Sequence, residues 1–239
     1  MSQTANLLQM AKRVAKVALG RDLFVRLQLR CSTRQFGSGY GAWTICPDGL
    51  GHDSVVYSFG VGTDVAFDLG LIAAYGLKVH AFDPTPQSIS WFKNQQFPPA
   101  LHLHEYGIAD TDGAIDLYPP NNPSYVSHSA VERAGVEPIQ ASVRRLSTIM
   151  NELGHQQIDL LKMDIEGAEY AVVEDIVTSG IPIRQLLIEF HHRFPQVGPV
   201  ATRRAVATLA AHGFRLFAVS SSGEEYSFLH VTHPSAQHA

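Results

Sequence analysis

From Ser54 onward, short apolar runs of strand length alternate with segments of helix length. That alternation confines the chain to an α/β sheet with helices on both faces. Val55–Phe59, Lys78–Phe82, Leu101–Tyr106, Ile158–Met163 and Arg184–Phe190 read as strands. Helices are predicted after Asp64, at Gln87–Gln95, Leu146–Leu153, Ala168–Thr178 and Thr202–His212. Phe214–Val219 and Tyr226–Val231 are joined by a link too short for a crossover, so the last pair is antiparallel. Asp112-Gly113 predicts a hairpin turn into Ala114–Tyr118. Residues 119–137, rich in Pro, Asn, Ser and Gly, read as a long surface loop. With Tyr125 and Ser127–Ser129, that loop is a candidate substrate lid.

Residues 1–50 are expected to form an N-terminal helical extension to a domain spanning 51–239. Leu7, Met10, Val14, Val17 and Ala18 recur at helical spacing, and Leu23, Val25 and Leu27 continue less regularly beyond Gly20. Such a basic amphipathic segment could lie on a membrane surface, but more often it packs on its own domain or on a partner subunit, as in a homo-oligomer. No apolar run approaches the ~20 residues needed to span a bilayer. Lys12, Arg13 and Lys16 are not followed by the apolar core of a signal peptide. Two cysteines, Cys31 and Cys46, cannot make a disulfide scaffold, so a cytoplasmic setting is expected. With 22 acidic and 18 basic residues, a broad cationic surface for nucleic acid is not expected.

Three features carry the chemistry. Gly60-Val61-Gly62 falls between a strand and a helix, where glycines let backbone approach a ligand and the helix start offers free N–H groups. Asp83 ends the next strand, 23 residues after Gly60, near the spacing at which nucleotide-binding sheets place a ribose-binding acid. These two allow NAD or S-adenosylmethionine. Val65, where a dinucleotide fingerprint wants a third glycine, counts against NAD. The third feature, Leu161-Lys162-Met163-Asp164-Ile165-Glu166-Gly167-Ala168-Glu169, gathers three carboxylates and a lysine at the carboxyl end of a buried strand, where open α/β sheets bind ligands.

The string from Lys162 to Glu169, with Phe59-Gly60-Val61-Gly62 and Phe82-Asp83-Pro84 in order, resembles the FkbM-like S-adenosylmethionine-dependent methyltransferases over residues 54–192. The resemblance implies a Rossmann-like class I methyltransferase fold, with a mostly parallel seven-stranded sheet and one antiparallel strand. It implies methyl transfer to a hydroxyl of a small molecule, a natural product or sugar, with S-adenosylhomocysteine as product. By position it puts Gly60 and Gly62 at the methionine and ribose, Asp83 at the ribose, Ala109 and Asp110 at the adenine, and Asp164 at the methionine end. Related enzymes commonly carry an acid two residues before the first glycine; here stands Ser58, next to Phe59, so Asp64 or Asp164 would hold the cofactor's ammonium.

Glu189-Phe190-His191-His192 ends the next strand, and alternation sends Glu189 and His191 to one side. Transfer to a hydroxyl requires that its proton be removed, and a histidine suits that role. His191 is therefore the expected base, oriented by Asp164 or Glu189. The same carboxylates and histidines could instead hold Mg²⁺ or another divalent ion, which would lower the acceptor hydroxyl's pKa. Tyr40, Trp43 and Tyr57 are aromatic candidates for the cofactor mouth. The competing readings are an NAD-dependent oxidoreductase and a cofactor-binding protein without catalysis.

Overall fold

A computed structural model describes residues 13–120, 128–132 and 135–231. Residues 13–18 are helical. Two short strands, β1 (Arg34–Phe36) and β2 (Trp43–Ile45), then pair antiparallel. β3 (Val55–Phe59), α1 (Ala66–Tyr75), β4 (Lys78–Phe82), α2 (Pro86–Lys93) and β5 (Leu101–His104) follow in strict alternation. A small sheet comes next, made of β6 (Gly107–Ile108), β7 (Gly113–Leu117) and β8 (Ile139–Arg144). The chain ends with α3 (Leu146–Leu153), β9 (Ile158–Met163), α4 (Glu169–Ser179), β10 (Ile183–Glu189), α5 (Gly198–Ala211), β11 (Phe214–Val219) and β12 (Glu225–His230).

The main sheet has the order β11-β12-β10-β9-β3-β4-β5, and only β12 runs antiparallel to its neighbours. This is the mostly parallel seven-stranded α/β sheet expected from the sequence. β3 pairs with β4 on one side and β9 on the other, so the winding reverses between β3 and β9. Reversal pulls the flanking connections apart and opens a crevice at the strand tips. β9 lies at the centre, and all six of its residues are buried, Asp159 and Lys162 included. Burial on both faces explains its continuous apolar run. One core cluster joins β9 and β10 to α3, α4 and α5; a second joins β3 and β4 to α1 and β2.

The N-terminal expectation needs correction. Among the described residues, only 13–18 are helical in the segment read as one or two helices. Residues 23–33 run without helix beside β11, where the N–H groups of Gln28 and Leu29 donate to the Leu216 carbonyl at 2.7 and 3.2 Å. Leu23, Val25 and Leu27 are spaced by two, which suits an extended chain. Leu7 and Met10 lie outside the described residues. Farther on, Phe36, Trp43 and Ile45 enter the core above α1.

The hairpin at Asp112-Gly113 is also different. β7 pairs with β8, and β8 stands between β6 and β7. β8 was not foreseen; its only signal is the spacing of Ile139, Ala141 and Val143 in an otherwise polar stretch. Asp112 instead caps α3, accepting from the Arg145 N–H at 2.8 Å and the Thr148 hydroxyl at 2.9 Å. Tyr125 and Ser127 of the candidate lid fall outside the described residues.

On the face of β3, β4 and β5 away from α1, His80 Nδ1 lies 3.0 Å from His104 Nε2, and His155 Nδ1 lies 2.7 Å from the Tyr57 hydroxyl. Burial, then His104, His155 and His102, pushes His80 down to about 4. The folded protein therefore holds His80 neutral while the unfolded chain protonates it near 6.5. Its stabilising contribution is complete above about pH 6.5 and is lost as pH falls toward 4. His80→Asn should accordingly lose less melting temperature than the wild type between pH 7 and pH 5. Equal losses in a thermal melt at both pH values would remove this role.

Candidate active site

The site grows from the tips of β3, β4 and β9. Gly60 takes φ +72°, which turns the chain sharply out of β3, and its N–H donates to the Phe82 carbonyl at 2.9 Å. Its Cα faces the Asp164 carbonyl so closely that a Cβ would overlap that oxygen. The Asp164 N–H donates to the Phe59 carbonyl at 3.1 Å, so the ends of β3 and β9 are locked together. Below them Lys162 donates from Nζ to the Gly60 carbonyl at 2.8 Å and the Phe59 carbonyl at 3.3 Å, lying 5.4 Å from the Trp43 ring centroid.

Asp83 is bound in the turn on the other side. Oδ2 accepts from the Gly62 N–H at 2.9 Å; Oδ1 accepts from the Thr85 N–H at 2.9 Å and the Thr85 hydroxyl at 2.6 Å. A carboxylate offers about four lone-pair sites, so one remains for a ligand. Asp64 Oδ1 accepts from the Ala66 N–H at 2.8 Å and caps the start of α1.

Phe59, Gly60, Gly62, Asp64, Asp83, Asp164 and Glu189, all expected from the sequence, line one cavity of about 440 Å³. Trp43 lines it too, whereas Tyr57 is buried against His155. The side chain of Tyr40 lies outside the described residues. Ser58 is buried and does not line the cavity. Ala109 and Asp110 also fall short: the wall there is made by Gly107 and Ile108, because β6 turns toward β8 two residues earlier.

Several lining residues were not foreseen. Asp68, on the first turn of α1, is 2% exposed, and its Oδ1 has no hydrogen-bond partner. Burial raises its carboxyl to about 6, against the opposing pull of Lys162. Ile115, Leu117 and Val143 of the small sheet form an apolar wall, and His128 stands beside it. Part of the candidate lid thus reaches the site: Ser129 Oγ donates to the Glu166 carbonyl at 3.0 Å.

His191 is buried and does not line the cavity. Nδ1 is hydrogen-bonded to Glu169 Oε1, and Glu169 is fully buried with Oε2 unpartnered. The orienting carboxylate is therefore Glu169, where Asp164 or Glu189 was expected. Nε2 points the other way, 3.4 Å from Glu166, 3.8 Å from Asp164 and 4.0 Å from Glu189. Glu166 adopts φ +51°, an unusual conformation for a side-chain-bearing residue, which accompanies its approach to the imidazole. Burial works against a charged imidazole here, but Glu169, Glu166 and Asp164 outweigh it and raise His191 well above its ordinary value. Burial and the Asp164 charge raise Glu189 to about 9. His192 turns to the opposite side, as alternation requires, and meets Asp22 at 3.2 Å.

The methyltransferase FkbM domain family matches residues 54–216. The chain belongs to that family. Among curated relatives, the probable methyltransferase-like protein 24 of Rattus norvegicus is 32% identical over 169 residues, 66% of this chain and 41% of that protein. The Homo sapiens protein of the same name is also 32% identical, over 64% of this chain and 39% of that protein, so the chain spans about two fifths of these relatives' length. The 31-O-demethyl-FK506 methyltransferase FkbM of Streptomyces tacrolimicus is 39% identical over 83 residues, 34% of this chain and 30% of that protein. A solved methyltransferase FkbM from Methylobacillus flagellatus aligns with 75% of this chain and 44% of its own, at 15% identity and a TM-score of 0.47.

Proposed function

We propose that the cavity binds S-adenosylmethionine and that the protein methylates a hydroxyl of a small molecule, leaving S-adenosylhomocysteine. One observation carries this reading: Gly60, Gly62, Asp83 and Asp164 converge on a single cavity at the β3–β9 reversal. The residues fit the cofactor. Asp83 keeps one acceptor site for a ribose hydroxyl. The apolar wall of Ile115, Leu117 and Val143 suits the adenine. Asp64, Asp68 and Asp164 offer carboxylates for the ammonium that Ser58 cannot pair ionically, and the Asp68 Oδ1 is already buried without a partner.

S-adenosylmethionine supplies a methyl group already activated on a sulfonium. The chain's own residues have two tasks left, to align the acceptor oxygen and to take its proton. Asp164 and Glu189 line the cavity, each within 4.0 Å of His191 Nε2, and Asp164 is the group placed to take that proton. Two FkbM relatives carry names of O-methylating enzymes, the FK506 methyltransferase and the 2-O-methyltransferase NoeI of Sinorhizobium fredii, which favours a hydroxyl acceptor here. Val65 is buried in the core at the place of a third glycine, which speaks against a dinucleotide.

Calorimetric titration tests this reading. S-adenosylmethionine and S-adenosylhomocysteine should bind, and NADH should not. Asp83→Ala should weaken cofactor binding by about 1–3 kcal/mol, the range for an unmet polar contact. Unchanged affinity would remove Asp83 from the ribose, and binding of NADH alone would replace the cofactor.

A further inference from the structure

We infer that Asp164, Glu166 and His191 form a binding site for a divalent cation at the acceptor end of the cavity, resting on the reading of that cavity as a methyl-transfer site. One ligand atom from each of the three lies within 4.8 Å of the others, a separation that a single ion can bridge. Asp164 and Glu166 line the cavity, so an ion there has positions open to an acceptor oxygen and water.

The independent observation is Glu169. Imidazoles that bind metals characteristically pass their other N–H to a carboxylate, which fixes the ring and its tautomer. Here Glu169 accepts from His191 Nδ1 at a fully buried position, and Nε2 is thereby aimed at Asp164 and Glu166. Its Oε2 has no partner, an arrangement hard to retain for structure alone. Charge points the same way. Asp164, Glu166, Glu169 and Glu189 all face one imidazole. Lys162 and Arg193, the basic side chains at these strand ends, are turned elsewhere: Lys162 to the Gly60 carbonyl, Arg193 to Asp22 and Glu224.

One nitrogen and two carboxylate oxygens suit Mn²⁺ better than Mg²⁺, which prefers oxygen ligands alone. An ion held there would coordinate the acceptor hydroxyl and lower its pKa. The cation's charge would also favour ionised Glu189, which lines the cavity outside the ligand set and would then accept the proton. His191 becomes a ligand rather than the base.

The test is titration of the metal-free chain with MnCl₂, followed by calorimetry and by the electron paramagnetic signal of free Mn²⁺. The wild type should show one saturable site per chain. Glu166→Gln and His191→Gln should each weaken it at least about ten-fold, and Glu169→Gln by roughly 10–100-fold. Glu174→Gln, a surface carboxylate on α4, should leave it unchanged. Thermal melts identify any variant that fails to fold, and Glu166→Gln, in the loop before α4, keeps the test decisive if a His191 variant does. Absence of saturable Mn²⁺ binding, or equal weakening by Glu174→Gln, overturns the site. S-adenosylmethionine titrated into the same protein separates the two readings. Cofactor binding without Mn²⁺ binding rejects the cation site and leaves methyl transfer standing; Mn²⁺ binding without cofactor binding does the reverse.

Discussion

Gly60→Ala should abolish measurable cofactor binding and lower the melting temperature together. At φ +72° an alanine is strained by about 1 kcal/mol, and its Cβ would overlap the Asp164 carbonyl oxygen. That oxygen belongs to backbone, so no side chain can swing aside. Either the β3 turn or the tip of β9 must move, and overpacking of this kind adds about 1–3 kcal/mol. For a chain of this size the sum corresponds to a drop of very roughly 4–16 °C. The displaced parts are the turn that presents Gly62 and Asp164, both of which line the cavity, so binding should fail even where folding survives. A variant with wild-type affinity by calorimetry would show that the glycine turn is not the cofactor cradle.

Lys162→Met should destabilise the protein although it keeps β9 apolar. The methionine keeps most of the volume but removes the ammonium that serves the Gly60 and Phe59 carbonyls. It also removes the positive charge that opposes the burial of Asp68. Leaving buried carbonyls without a charged donor typically costs about 1–3 kcal/mol. Chemical denaturation should show a loss of that order, and adding Asp68→Asn should recover part of it. Additive losses in the double variant would mean that the two groups do not interact. A loss under about 1 kcal/mol would mean that the lysine is not structural.

The experiments probe contacts of unequal legibility. The main sheet could be read from the chain because its rules are local: β3, β4, β9 and β10 are apolar runs of strand length, and Gly60-Val61-Gly62 and Asp83 mark where two of them end. β8 could not, because Ile139, Ala141 and Val143 are interleaved with polar residues and become a strand only when β6 and β7 supply partners. The stretch from Leu23 to Cys31 misled for a related reason. Its apolar residues follow a helix-like run at 7–18 but are themselves spaced by two, and the Leu216 carbonyl that holds Gln28 and Leu29 is nearly two hundred residues away.

Within the candidate site the same division holds. Residue types and their order along the strands determined that carboxylates, glycines and a histidine would collect at one edge of the sheet, since parallel strands all deliver their carboxyl ends to the same side. Only the tertiary structure decided which of them meet. The pairing of β9 with β10 and the start of α4 bring Glu169 to Nδ1 of His191, while Asp164, Glu166 and Glu189 gather around Nε2. The early turn of β6 takes Ala109 and Asp110 off the wall, and the first turn of α1 carries Asp68 onto it. Those outcomes depend on distances across the sheet, set by strand register and helix packing, and no spacing along the chain encodes them.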